Sequence, residues 1–118
     1  MTSVLVVEDN FIIALEAEDI LATLGVDEVV IATSLKQARE LMDQRAFDAV
    51  LLDVNLGPGT SFDFARHLVE RGVPFGFASG YGDGEDFPPE LRAVPRISKP
   101  FNETTLGDLL SRTIGLPG

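Results

Sequence analysis

The sequence predicts an α/β fold, a (βα)5 doubly wound sheet of five parallel strands. Three observations predict it. Ser3-Val4-Leu5-Val6-Val7, Val29-Val30-Ile31-Ala32, Ala49-Val50-Leu51-Leu52 and Phe75-Gly76-Phe77-Ala78 are near-continuous apolar runs, as expected of parallel strands covered on both faces. Segments of helical spacing separate these runs. Acidic residues stand where two of them break, Glu8-Asp9 after the first and Asp53 after the third. In open parallel sheets, ligands bind beyond the carboxyl ends of the strands. The residues that terminate the runs are therefore the ones to read for chemistry.

The elements follow in order. The first strand occupies residues 3–7. Asn10 can cap a helix at 11–24, whose apolar positions Ile13, Ala14, Ala17, Ile20, Leu21 and Leu24 keep helical spacing and which Gly25 ends. The second strand is 29–32. Ser34 with Gln37 forms a capping box for a helix with Leu35, Ala38, Leu41 and Met42 inward. The third strand is 48–52. Ser61 opens a helix at 61–71, with Phe62, Ala65, Leu68 and Val69 inward and Gly72 after it. The fourth strand is 75–78. A short fifth strand lies near 94–98, where Pro95 suits an edge position. Asn102 caps a last helix carrying Leu106, Leu109, Leu110 and Ile114.

The segment 80–89 is different. It holds three glycines, two prolines and three acids in ten residues, the composition of a mobile loop. Any helix between the fourth and fifth strands must start near Pro88 and be short.

Composition bounds the rest. A chain of 118 residues reads as one domain, 1–118, long enough to bury roughly two-thirds of its unfolded surface. It has no cysteine, which excludes disulfides and thiolate metal sites. No apolar stretch approaches the roughly 20 residues of a membrane helix. Met1-Thr2-Ser3 leads into a strand without a basic segment, so no signal peptide is expected and the expected compartment is the cytoplasm. The net charge of −10, with nine scattered basic residues, argues against nucleic acid as a partner, because phosphate binding needs a basic footprint. Most of that acidity serves solubility; the sharper reading is that some acids are gathered to hold a cation.

If the first and third strands are neighbours, the carboxylates of Glu8, Asp9 and Asp53 converge. Such a cluster repels itself unless a proton or cation is shared. Hard oxygen donors with no sulfur or histidine nearby point to Mg²⁺. Lys99, after the fifth strand, can place a point charge over the same site. Ser79, after the fourth, offers a hydroxyl. One cation, one carboxylate nucleophile, one ammonium and one hydroxyl suit phosphoryl transfer to Asp53, a reaction that needs positioning and charge neutralisation. Taken singly, each has an ordinary reading: Asp53 a polar strand end, Ser79 a turn residue, Lys99 a surface lysine. It is their combination that carries the argument.

The segments Val4-Leu5-Val6-Val7-Glu8-Asp9, Leu51-Leu52-Asp53, Ala78-Ser79-Gly80 and Lys99-Pro100-Phe101, in this order on alternating strands and helices, resemble the response-regulator receiver domains of two-component signalling. The resemblance spans residues 3–115. It implies a flavodoxin-like, CheY-like sheet of order 2-1-3-4-5 with a short or irregular fourth helix. It implies Asp53 as phosphoacceptor, and Mg²⁺ held by Glu8, Asp9 and Asp53 with the Asn55 main-chain carbonyl as a further ligand. Ser79 would contact the phosphoryl group, Lys99 would pair with it, and the Lys99-Pro100 peptide would be cis. The partners implied are a histidine kinase or a histidine phosphotransfer protein, with no nucleic acid and no membrane, on a monomer or weak dimer. It is a phosphoacceptor module, not an enzyme, promoting only its own phosphorylation and dephosphorylation.

Two departures stand out. Arg96 occupies the position, three before the lysine, where the family carries Tyr or Phe as a rotameric switch. Val54-Asn55-Leu56-Gly57-Pro58-Gly59 replaces a more common Met-Pro-Gly sequence. Without an aromatic at 96, the segment 80–89 is expected to carry the activation change, with Tyr81 reporting it. Phe77-Ala78-Ser79-Gly80-Tyr81-Gly82 resembles a subgroup marked by Phe-Ala-Thr-Gly, many of whose members are stand-alone receivers in proteobacterial phosphorelays.

Two other functions compete. A haloacid-dehalogenase-like Mg²⁺-dependent phosphatase also joins a strand-end Asp to Ser/Thr and Lys, but typically has a second Asp two residues on, where Asn55 stands. A flavodoxin-like cofactor binder would need a phosphate-cradling loop after the first strand, where Glu8-Asp9 would repel a phosphate. His67 is expected to face solvent, Arg96 to lie on the surface of an edge strand, and Phe62, Phe64, Phe75 and Phe77 to serve the core.

Overall fold

The computed structural model describes residues 2–54, 61–79, 89–91 and 93–114, apart from the side chain of residue 114. Its elements are β1 (Ser3–Val7), α1 (Phe11–Thr23), β2 (Glu28–Ala32), α2 (Leu35–Gln44), β3 (Ala49–Asp53), α3 (Ser61–Arg71), β4 (Phe75–Ser79), a 3₁₀ turn (Pro89–Leu91), β5 (Arg96–Ser98) and α4 (Glu103–Ile114). All strand pairs are parallel, in the order β2-β1-β3-β4-β5. The chain leaves β1 toward β2, then crosses back to β3. The crevice between β1 and β3 is thus the point where the winding reverses, and it is here that α/β sheets bind ligands.

Side chains alternate along each strand, so the sheet has two cores. Leu5, Val7, Val50, Leu52, Phe75 and Phe77 join Ala38 and Met42 of α2 and Phe64, Ala65 and Leu68 of α3. Val4, Val6, Ala49, Leu51, Ala78 and Ile97 join Ala14, Ala17 and Leu21 of α1 and Leu106, Leu109 and Leu110 of α4. Gly76 lets α4 approach: a Cβ there would stand 2.7 Å from a Leu109 methyl.

The helix signals act as predicted, with one variation. Asn10 Oδ1 accepts from the Ile12 and Ile13 amides at 3.0 and 3.3 Å. Ser34 Oγ accepts from the Gln37 amide at 3.1 Å, but Gln37 Oε1 accepts in return from the Thr33 amide at 2.8 Å rather than from Ser34. Asn102 and Thr105 close a reciprocal box, each side chain accepting from the other's amide at 2.9 Å. Gly25 and Gly72 follow α1 and α3 at φ +99° and +69°, left-handed conformations that favour glycine.

Several boundaries and faces differ from the sequence reading. Asp53 does not follow β3 but is its last residue, in register with Ala78; ladder pairing depends on the main chain, not on side-chain polarity. Ser79 likewise belongs to β4, and β2 begins at Glu28. α1 ends at Thr23, with Leu24 as its C-cap. β5 begins only at Arg96; Pro95 precedes it and contributes its carbonyl to the Phe77 amide at 2.9 Å. Val69 is 56% exposed, not inward. The buried stripe of α3 is Ser61, Phe64, Ala65 and Leu68, and Val69 lies about 100° beyond Leu68 around the helix. His67 is half-buried, its ring centroid 6.3 Å from that of Phe64. Arg96 is exposed, as expected.

Candidate functional site

Val7 of β1 lies in register with Leu52 of β3, so the next residue on each strand brings Glu8 beside Asp53. Both continue the alternation that faces α1 and α4: Glu8 follows Val4 and Val6, and Asp53 follows Ala49 and Leu51. Ile13 and Ala17 of α1 and Phe101 line the space against them. Glu8 and Asp53 are only 4% and 3% exposed, whereas Asp9 is on the surface. One carboxylate oxygen from each of Glu8, Asp9 and Asp53 lies within 4.8 Å of the other two.

Lys99 joins the cluster from beyond β5. Its amide donates to the Ser79 carbonyl at 2.8 Å, which fixes the strand end, and its peptide bond to Pro100 is cis. Its Nζ lies 2.6 Å from Glu8 Oε1 and 3.0 Å from Asp53 Oδ1. Glu8 Oε2 accepts from the Asn10 amide at 3.1 Å.

The electrostatics follow from this burial. Desolvation is the largest influence on Glu8 and raises its pKa; the Lys99 ammonium and the Asn10 amide oppose it, and the Asp53 charge adds to it. Burial alone would lower the pKa of Lys99. Its hydrogen bonds to Glu8 and Asp53 and their charges together outweigh that, and the net shift is upward. The ammonium is therefore held charged over the two buried carboxylates.

Ser79 is the last residue of β4. It is in phase with Phe75 and Phe77 along β4, and among the described residues its hydroxyl makes one long hydrogen bond, 3.5 Å to the Ile97 carbonyl. Asn55, Tyr81 and all of segment 80–89 except Pro89 lie outside the described residues. The structure adds one residue that the sequence reading treats only as a helix start. The Ser61 hydroxyl donates to the main-chain carbonyl of Asp53 at 2.5 Å.

The sequence profile of the response regulator receiver domain matches residues 4–111. The chain belongs to the response regulator receiver domain family. Its receiver fold has close counterparts among solved structures. The solution structure of SdrG from Sphingomonas melonis Fr1 is 33% identical, with 94% of each chain covered and a TM-score of 0.81. A BeF3-activated conformation of SdrG, from Pseudomonas melonis Fr1, is 32% identical, with 92% of each chain covered and a TM-score of 0.79. The receiver is also 30% identical over 118 residues to the aerobic respiration control sensor protein ArcB of Escherichia coli (strain K12), covering 98% of this chain. The chain spans about 14% of the length of that curated relative.

Receiver domains interact with histidine kinases or phosphotransfer proteins and bind Mg²⁺ at an acidic pocket. The donor set fits that ion. Three carboxylates supply hard oxygens within 4.8 Å, and among the described residues this cluster includes no sulfur or imidazole. No helix among the described residues is long and apolar enough to cross a membrane.

Proposed function

We propose that this chain is a phosphoacceptor, taking a phosphoryl group on Asp53 from a histidine kinase or a histidine phosphotransfer protein. The observation that carries this reading is the setting of Asp53: a buried strand-end carboxylate, 3.0 Å from the Lys99 ammonium and within 4.8 Å of oxygens from Glu8 and Asp9. In the transfer, an Asp53 carboxylate oxygen forms a bond to phosphorus while the bond from phosphorus to the donor imidazole nitrogen breaks. The leaving nitrogen takes up a proton, and the product is an acyl phosphate.

Glu8, Asp9 and Asp53 would hold Mg²⁺, with the Asn55 main-chain carbonyl as a further ligand. When bound, the ion supplies charge neutralisation for the phosphoryl oxygens. Lys99 holds its proton and stays cationic, so it can turn from the Asp53 carboxylate toward an acquired phosphoryl oxygen. Ser79, loosely held by its long bond to Ile97, is free to rotate its hydroxyl toward the same group. The signal then passes by contact with a protein partner or along a phosphorelay. Ile13, Ala17 and Phe101 line the space against the carboxylates.

Incubation with acetyl phosphate and Mg²⁺ tests the reading. Stable labelling at one site is the expected result. Continuous release of phosphate without accumulation of a labelled protein would indicate a phosphatase, and an unlabelled protein with no phosphate released would contradict both.

A further inference from the structure

We propose that Ser61 is a positioning residue for the phosphoacceptor, acting through the hydrogen bond from its hydroxyl to the main-chain carbonyl of Asp53. The inference rests on the phosphoacceptor reading given above and extends it to a residue outside the carboxylate and lysine cluster.

The bond joins the last residue of β3 to the first residue of α3 across 2.5 Å. Both residues are almost fully buried, Ser61 at 1% exposure and Asp53 at 3%. A serine at a helix start ordinarily uses its oxygen to accept from an amide of the first turn. A serine hydroxyl has a single proton to donate. Here that proton is directed off the helix and onto the strand, in surroundings where water cannot substitute for it.

The Asp53 carbonyl and the Val54 amide belong to one peptide plane. Ser61 holds that plane at its oxygen, and the Ala78 carbonyl of β4 holds it at its nitrogen, accepting from the Val54 amide at 3.0 Å. The orientation of this plane sets ψ of Asp53, because ψ is the rotation about the bond from the Asp53 Cα to the carbonyl carbon of that plane. The direction in which the Asp53 side chain leaves the backbone, relative to Glu8 and Lys99, depends on that angle. With α3 and β4 gripping the plane from its two ends, the carboxylate is aimed before any donor arrives. Phosphoryl transfer depends on such alignment, and small misplacements of a reacting group slow it strongly.

Packing alone would give Ser61 a different signature. A serine that only filled space would, when truncated, lower stability and leave the reaction rate of the folded protein unchanged. Leu68 supplies the comparison. It lies two turns further along the same buried stripe of α3, is fully buried, and belongs to the apolar core.

The test measures phosphorylation of the folded protein by acetyl phosphate at saturating Mg²⁺, as a function of donor concentration, for wild type, Ser61→Ala and Leu68→Val. The expected result is that Ser61→Ala lowers the limiting rate by about 10-fold or more while the half-saturating donor concentration stays near the wild-type value. Leu68→Val is expected to lower thermal stability but keep the wild-type limiting rate. A wild-type rate in Ser61→Ala overturns the proposal, and so does an equal loss of rate in both variants. A wild type that takes no label at all contradicts the phosphoacceptor reading itself, and the positioning role with it. The two failures are therefore distinct.

Discussion

Lys99 stands nearer to Glu8 than to Asp53, 2.6 Å against 3.0 Å, although Asp53 is the residue proposed to react. The lysine thus bridges the two buried acids. By formal charge, the carboxyl groups of Glu8, Asp9 and Asp53 against the Lys99 ammonium sum to −2, which one divalent cation would neutralise. This bridge explains how two carboxylates can share a site without driving each other apart, and why an ion should still be welcome there.

Removing the bridge should expose the repulsion. Lys99→Met leaves Glu8 and Asp53 buried without their cation. In chelator at neutral pH it should cost about 3 kcal/mol of unfolding free energy, the low end for breaking a buried pair because Lys99 keeps some exposure. Urea denaturation measures this. Millimolar Mg²⁺ should restore part of the loss, and a variant as stable as wild type in chelator would show that the pair contributes nothing.

Mg²⁺ should stabilise the wild-type fold by mass action. At ten times its dissociation constant, a ligand that binds only the folded state adds about 1.4 kcal/mol. Thermal melting should therefore shift upward with Mg²⁺, and Asp9→Asn should largely abolish the shift. An undiminished shift in that variant would place the ion elsewhere.

Glu8 gives a pH dependence of definite sign. Burial foremost raises its folded-state pKa above the ordinary value of 4.5, so the folded chain holds that proton more tightly than the unfolded chain. The cost of ionising Glu8 is absent below 4.5 and is complete only above the raised value. Its contribution to stability therefore falls as pH rises through that window. Carboxyl-carbon NMR of Glu8 in metal-free buffer should show a midpoint above the ordinary value, and Mg²⁺ should bring it down. A metal-free midpoint at or below 4.5 would refute this.

Gly76 is required by the approach of α4 to β4. Gly76→Ala forces its new methyl into Leu109, and overpacking of this kind should cost about 1–3 kcal/mol. The companion change Leu109→Ala should make Gly76→Ala less costly than it is in wild type, measured as a double-mutant cycle by urea denaturation. Purely additive losses would mean that the contact relaxes without cost.

The central strands are legible in the sequence because β1 and β3 are buried along their whole length, and burial on both faces leaves an unbroken apolar run. The edges are less so. β2 is half-buried over four of its five residues, and β5 holds only one buried residue, Ile97, so polarity no longer marks where pairing begins. Val69 misleads because an apolar side chain one residue past the stripe looks as inward as Leu68. The acidic cluster is readable because parallel strand ends are where such sheets bind ligands. The contact from Ser61 to Asp53 is not, since a serine before a helical pattern already has a sufficient local role as a helix start. The grip of Lys99 on Glu8 joins residues 91 positions apart and depends on register that no local pattern encodes.

The central claim is that Asp53, and no other residue, accepts the phosphoryl group. Intact mass spectrometry of wild type and Asp53→Asn after acetyl phosphate and Mg²⁺ tests it most directly, because asparagine keeps the shape of the side chain and removes the nucleophilic carboxylate. Wild type should gain the mass of one phosphoryl group and Asp53→Asn none. Equal labelling of the two proteins would contradict the account.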